Sequence, residues 1–269
     1  MRWIEARAAA LRYELIEPHA TARAGTIVLI HEAGGSLESW DAVLPLLPPD
    51  RRVLRYDQRG FGMSERCTTL TLDGMVADLA ALLDALGLAG PVHLVGTAIG
   101  ASIALAFAAA HPARVAGVVA TSPITGGIPD AAKDFLEQRA RLLETEGLRA
   151  VAEASLARSY PPKLRHDADA YAQYRGRFLA NDARAFAAMT RAFMTVELSG
   201  LYEHIRCPAL VIGCVDDAIK PAHECAQVAA ALPQGRYAQA DSGHFIAVQS
   251  PTLLADLVRA FLEDLDAPR

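Results

Sequence analysis

Short aliphatic runs, each closing on a small or polar residue, alternate along this chain with longer segments of helical period. That alternation is what a mostly parallel sheet with crossover helices requires, because parallel neighbours cannot be joined by a hairpin. The expected strands are Thr26–Ile30 (TIVLI), Val53–Tyr56, 92–95, Val115–Thr121 and 210–212. Between them, Leu72, Met75, Val76, Leu79, Leu82, Leu83 and Leu86 recur at three- and four-residue spacing, as do Ile99, Ile103, Phe107 and Ala110. Each set forms one apolar helix face, and core packing is its expected role. Near the end, Ser250 and Pro251 read as an N-cap and first-turn pair ahead of a stripe of Leu254, Leu257, Phe261 and Leu265.

One stretch breaks the alternation. From 124 to 202 there is no strand text, only amphipathic helical segments such as DFLEQRARLLETEGLRAVAEASLARSY. Placed after one strand and before the last sheet elements, such an insertion would sit over the strand ends and act as a lid. The expected organisation is therefore a core at 1–123, a helical lid at 124–202 and the rest of the core at 203–269.

Composition narrows the function classes. A chain of 269 residues, 52% hydrophobic, can bury a sizeable core without staples. The net charge of −5 offers no basic stripe for phosphate, which argues against nucleic acid. The opening residues MRWIEARAAALRYELIEP carry charges throughout, so they read as neither a signal peptide nor a membrane span. Cys67, Cys207, Cys214 and Cys225 have neither CxxC spacing nor the density of a disulfide scaffold, so a reducing cytoplasm is expected, without a metal. The expected partners are a small-molecule substrate and, for assembly, a second copy of the chain as a homodimer; no membrane partner is expected.

Four landmarks, each at a strand end, carry a resemblance. His31-Glu32-Ala33-Gly34-Gly35-Ser36 follows the first strand, and Asp57-Gln58-Arg59-Gly60-Phe61-Gly62-Met63-Ser64 follows the next. Gly96-Thr97-Ala98-Ile99-Gly100 joins a strand to a helix. Gly213-Cys214-Val215-Asp216 and, later, Gly243-His244-Phe245 complete the set. In this order they resemble the α/β-hydrolase superfamily over nearly the whole chain, and most closely the 3-oxoadipate enol-lactonase and aminoacrylate-hydrolase group. The resemblance implies an α/β-hydrolase fold with an inserted helical lid and no cofactor. It also implies an oxyanion-hole N–H from Ala33, a second from Ile99, and a nucleophile elbow centred on position 98. Asp216, three residues after Gly213, is favoured over the adjacent Asp217 as the acid, Asp217 otherwise capping the following turn or pairing at the surface, and His244 is the expected histidine. The Asp57–Ser64 loop is expected to be structural.

The elbow holds Ala98 where the family has serine, so a Ser-His-Asp acyl-enzyme cannot form as the sequence stands. Either a natural serine was replaced to trap a substrate, or alanine is native. Glu32, where the family keeps glycine, is a second change beside the same pocket and favours a native variant. His244, oriented by Asp216, would then deprotonate a water and attack a labile substrate such as an enol lactone, ester, carbamate or enamine. The rivals are a serine esterase or lactonase whose serine was engineered to Ala98, a lyase, isomerase or cofactor-free oxygenase using the same base, and a ligand-binding pseudo-hydrolase.

Other residues are weighed individually. Glu32 is a candidate acid or base if it lines the pocket and a solvated loop carboxylate if it does not. His31 is expected chiefly to order its loop, and with Trp40 and Ser122 forms the candidate substrate-binding set. Cys214 and Ser122 lie at strand ends but lack the elbow that exposes a nucleophile. Trp40, Phe61, Phe135, Tyr160, Phe186 and Phe193 either shape the pocket or pack the lid. Of the lid cations Arg139, Arg141, Arg158, Lys163, Arg165, Arg175, Arg177, Arg184 and Arg191, most are expected to be solvated, with one or two left for a substrate carboxylate.

Overall fold

Along Thr26–Ile30 the side chains alternate between two cores: Val28 and Ile30 join one apolar cluster, Ile27 and Leu29 the other. The same division separates Leu94 from Val95, Val118 from Val119 and Val211 from Ile212. These strands are buried on both faces, as a parallel sheet covered on each side by helices demands. The computed structural model describes residues 1–7, 9–18 and 25–267.

Among the described residues the sheet has eight strands: β1 (Arg2–Ala6), β2 (Ala9–Ile16), β3 (Thr26–Ile30), β4 (Val53–Tyr56), β5 (Val92–Thr97), β6 (Val115–Thr121), β7 (Ala209–Cys214) and β8 (Gly235–Ala240). Their spatial order is β1-β2-β4-β3-β5-β6-β7-β8. β1 and β2 run antiparallel, β2 meets β4 antiparallel, and all pairs from β4 to β8 are parallel. The fold is therefore the expected α/β-hydrolase fold. The five expected strands are present, β5 and β7 extending beyond 92–95 and 210–212. β1, β2 and β8 went unrecognised because all three lie toward the edges of the sheet and carry charged or exposed residues.

Helices α1 (Leu72–Ala85), α2 (Ile99–Ala110) and, between β7 and β8, α7 (Ala222–Ala231) contribute to the first core. The C-terminal α9 (Pro251–Asp266), preceded by α8 (Ile246–Gln249), closes the other with Leu254, Val258 and Phe261. Ser250 stands at the N-cap of α9 and Pro251 in its first turn, as the sequence reading expects, although the Ser250 side chain makes no capping bond.

Residues 124–204 contain no strand. They form α3 (Asp130–Glu146), α4 (Arg149–Ser159), α5 (Ala168–Ala180) and α6 (Ala183–Phe193). The insertion is fastened to the core at several points. Asn181 Nδ2 donates to Gly34 O at 2.9 Å, Gln249 Nε2 donates to Ser159 O at 2.9 Å, and Lys163 pairs with Asp216.

The β5–α2 junction depends on two residues without side chains. A Cβ on Gly100 would overlap Ile30 O and lie 2.7 Å from His31 O, while one on Gly96 would overlap Gly100 O and lie 2.5 Å from Ala101 N. Gly100→Ala is accordingly expected to cost about 3 kcal/mol, because the obstruction is backbone that cannot repack. Gly90→Ala, with nothing within 4 Å, is expected to stay within about 0.5 kcal/mol of the parent. Urea unfolding of the two variants checks the contrast, and similar midpoints would contradict it.

Candidate active site

Ala98 stands between β5 and α2 at φ 51°, ψ −116°, a conformation that L residues rarely adopt. Holding it costs about 1–3 kcal/mol, which the surrounding structure must supply. The supports are visible: Ala98 N donates to Thr121 O at 2.9 Å, and the glycines on either side let α2 start hard against the end of β3. Ile99 opens α2, where first-turn N–H groups have no partner within the helix.

Across the strand ends lies an acid–histidine pair. His244 Nδ1 donates to Asp217 Oδ2 at 2.7 Å, with both side chains buried. The other oxygen, Asp217 Oδ1, accepts the N–H groups of Ile219 at 2.8 Å and Lys220 at 2.9 Å. Burial alone would raise the Asp217 pKa, but the facing imidazole, the Lys220 N–H and the Ser122 hydroxyl outweigh it and hold the carboxyl below its usual value. The expected acid, Asp216, is not in the pair; its side chain reaches Lys163 on the insertion instead. The reason is the turn after β7, which folds Asp217 back over the next three residues and leaves Asp216 facing out. Counting from Gly213 could not separate two adjacent aspartates, whereas the tight Asp-Ala-Ile-Lys-Pro turn is a signal that could.

The loop after β3 is ordered by His31. Gln58 N donates to His31 Nε2 at 3.0 Å, so Nδ1 carries the proton and donates to Glu32 O at 2.7 Å. Glu32 is fully buried beneath this loop, where Ser39 Oγ donates to Oε1 at 2.8 Å and Thr97 Oγ1 to Oε2 at 3.2 Å. Tyr174, from α5, has its hydroxyl pKa pushed well above the usual value, first by burial and then by the Glu32 carboxylate. Asp57 ties the neighbouring loop together, accepting from Arg12 Nε at 2.6 Å, Leu37 N at 2.7 Å and Met63 N at 2.8 Å.

A cavity of about 440 Å³ opens above these strand ends, with Ala33, Ala98 and His244 on its core side. The insertion contributes Phe135, Phe178, Phe186, Phe193, Arg139 and Arg158. Glu32, His31, Trp40 and Ser122 are absent from its lining, which corrects four candidate assignments. Glu32 is buried behind the loop, and His31 is committed to it. Trp40 packs in the α9-side core, and Ser122 lies beside the Asp217 carboxylate. Cys214 is also fully buried, its thiol pushed up to about 12 by burial and by Asp217, so it is no thiolate nucleophile at neutral pH. Of the aromatic candidates, Phe135, Phe186 and Phe193 reach the cavity, while Phe61 and Tyr160 do not. Phe178, Lys220 and Glu224 line it without having been singled out in the sequence.

A family model described as the alpha/beta hydrolase fold matches residues 25–251. The chain belongs to this family. Hydrolases of esters, lactones and carbamates share this fold, and three similar proteins indicate the range. A candidate non-heme bromoperoxidase of Mycobacterium tuberculosis is 30% identical, the match covering 90% of this chain and 95% of that protein. A candidate carbamate hydrolase of Escherichia coli O157:H7 is 33% identical over 82% of this chain and 84% of that protein. The crystal structure of the enol-lactonase from Burkholderia xenovorans superposes with a TM-score of 0.90 at 26% identity, covering 97% of this chain and 100% of that one. Among the described residues no helix is long and apolar enough to cross a membrane.

The Asp217 pairing has a consequence for acid stability. A carboxyl held below its unfolded pKa near 3.8 contributes stability that is fully present above about pH 4 and is lost as pH falls through the lower folded value. Chemical unfolding between about pH 5 and pH 2 should therefore show a steeper loss for the parent chain than for Asp217→Asn, which binds no proton at this position. Parallel profiles would contradict the assignment.

Proposed function

We propose that this family member hydrolyses a small, activated carbonyl compound of the ester, enol-lactone or carbamate type by activating water, without a covalent intermediate. The observation that carries this reading is the intact Asp217–His244 pair facing the same cavity as an elbow that presents only a methyl group. The resemblance to a candidate carbamate hydrolase and to an enol-lactonase supports the substrate class.

In the proposed reaction His244, its Nδ1–H held by Asp217, takes a proton at Nε2 from a water in the space above Ala98. The water oxygen bonds to the substrate carbonyl carbon, whose π electrons move to oxygen. The N–H groups of Ala33 and Ile99 stabilise that oxyanion. On collapse the carbonyl re-forms, the bond to the leaving group breaks, and the imidazolium returns its proton to the departing oxygen or nitrogen. Asp217 remains ionised and keeps the imidazole in one tautomer and orientation. The helical insertion serves as the lid, and its aromatic residues exclude bulk water. Because no side-chain nucleophile divides the reaction into two easier steps, the leaving group must already be good. This limits the substrates to labile acyl compounds.

A second reading, a serine hydrolase lacking its nucleophile, is favoured by the strained Ala98 backbone, which is the geometry an elbow serine needs. The two readings separate on turnover of p-nitrophenyl acetate, an enol lactone and an aryl carbamate. Water activation predicts hydrolysis by the parent chain, a loss of about 10² to 10⁴ in His244→Ala and a comparable loss in Asp217→Asn, with Asp216→Asn near the parent. No turnover by the parent, with strong esterase activity and fluorophosphonate labelling appearing in Ala98→Ser, would establish the second reading instead.

A further inference from the structure

Arg139 lies on α3 and lines the cavity. Its described hydrogen-bond partners are neutral: Nη1 donates to Thr190 Oγ1 at 2.8 Å and Nη2 to Ser155 Oγ at 3.1 Å. The guanidinium also stands 5.2 Å from the ring centre of Phe186, where the π face offers a further weak attraction. Arg158, on α4, is exposed but also lines the cavity, and among the described bonds its Nη2 donates a long one, 3.4 Å, to Ala218 O. The two cations repel: burial first, and then Arg158, push the Arg139 pKa down to about 10.

Glu224, the one acidic residue among the described lining residues, does not relieve this. Glu224 accepts from Lys220 Nζ at 2.7 Å, and that ammonium donates in addition to Thr125 Oγ1 at 3.1 Å. Several other cations of the insertion have carboxylate partners. Arg191 binds Glu137 and Glu144, Arg175 binds Glu153, and Lys163 binds Asp216. A partly buried guanidinium that has two hydroxyls and an aromatic ring as partners, near a second cation, gains from an anion that joins it. The hydroxyls fix its orientation, and its planar fork suits a carboxylate.

We propose that Arg139 and Arg158 form a carboxylate subsite, so that the substrate is an anionic acyl compound carrying a carboxylate remote from the bond that is cleaved. The proposal rests on the hydrolase reading for the cleaved bond but not for the binding of the anion. Ala98, His244 and the two arginines line one continuous cavity, so a short dicarboxylic acid monoester can place its ester at the elbow and its free carboxylate on the insertion. Phe135, Phe186 and Phe193 provide apolar walls for the methylene chain.

The test uses two probes on the full chain. The first is the p-nitrophenyl monoester of glutaric acid set against the neutral p-nitrophenyl hexanoate. The second is glutarate alone, measured by calorimetry, which requires no turnover. Hydrogen bonds to charged groups of this kind translate into about 10- to 100-fold in binding. Arg139→Met and Arg158→Gln are each expected to lower kcat/KM for the anionic ester by that factor, mainly through KM, and to leave the neutral ester within about twofold. Arg139→Lys should recover part of the loss, which a purely packing role for the side chain would not explain. Glutarate should bind the parent, weaken with added salt and weaken in the same variants.

If neither ester is hydrolysed while glutarate binds in an arginine-dependent way, the subsite stands and the hydrolytic reading falls. If the neutral ester is turned over as well as the anionic one, and glutarate binding is absent or unchanged in the variants, the subsite is overturned while the hydrolytic reading stands.

Discussion

The candidate site depends on how closely the start of α2 approaches the end of β3. Gly100 sits against the carbonyl groups of Ile30 and His31 with no room for a Cβ, and Gly96 is similarly confined by the first turn of the same helix. This contact fixes the β5–α2 turn and holds Ala98 at a positive φ that alanine would not choose. It also brings the opening residues of α2 beside the loop that carries Ala33. The conformational cost at one residue is thus offset by packing spread over two strands and a helix.

A second feature follows from the ends of the last parallel strands. Asp217 uses both carboxylate oxygens, one for two backbone N–H groups in its own turn and one for His244. It has little freedom left, which is what an orienting carboxylate requires. Asp216, one residue earlier, joins the insertion to the core through Lys163. Two adjacent acids have therefore been given different work by a single turn. Under the proposed reading this arrangement leaves Nε2 of His244, a residue that lines the cavity, to act on water.

Much of this was legible in the sequence because it follows from periodicity and from glycine spacing. The buried parallel strands announce themselves as aliphatic runs, and Gly96 and Gly100 bracket the elbow between a strand and a helix, in order with the other landmarks. What escaped were features decided in three dimensions. β1, β2 and β8 carry charged or exposed residues, so their pattern resembles loop or helix text. Glu32 reads as a pocket acid, but Ser39 and Thr97 draw it under the loop. Trp40 reads as a pocket aromatic, yet the short helical turn that carries it faces the α9-side core. Arg139 was one of many basic residues in the insertion; the packing of α3 against α6 separates it from those that face solvent.

The central claim is that water, rather than a side chain, attacks the acyl carbon. The most direct measurement is the intact mass of the protein, acid-quenched during steady-state hydrolysis of an activated ester. The account predicts turnover with the polypeptide at its unmodified mass throughout. A mass increment equal to the acyl group, formed and discharged at rates matching turnover, would contradict it and would require a nucleophile elsewhere in the cavity.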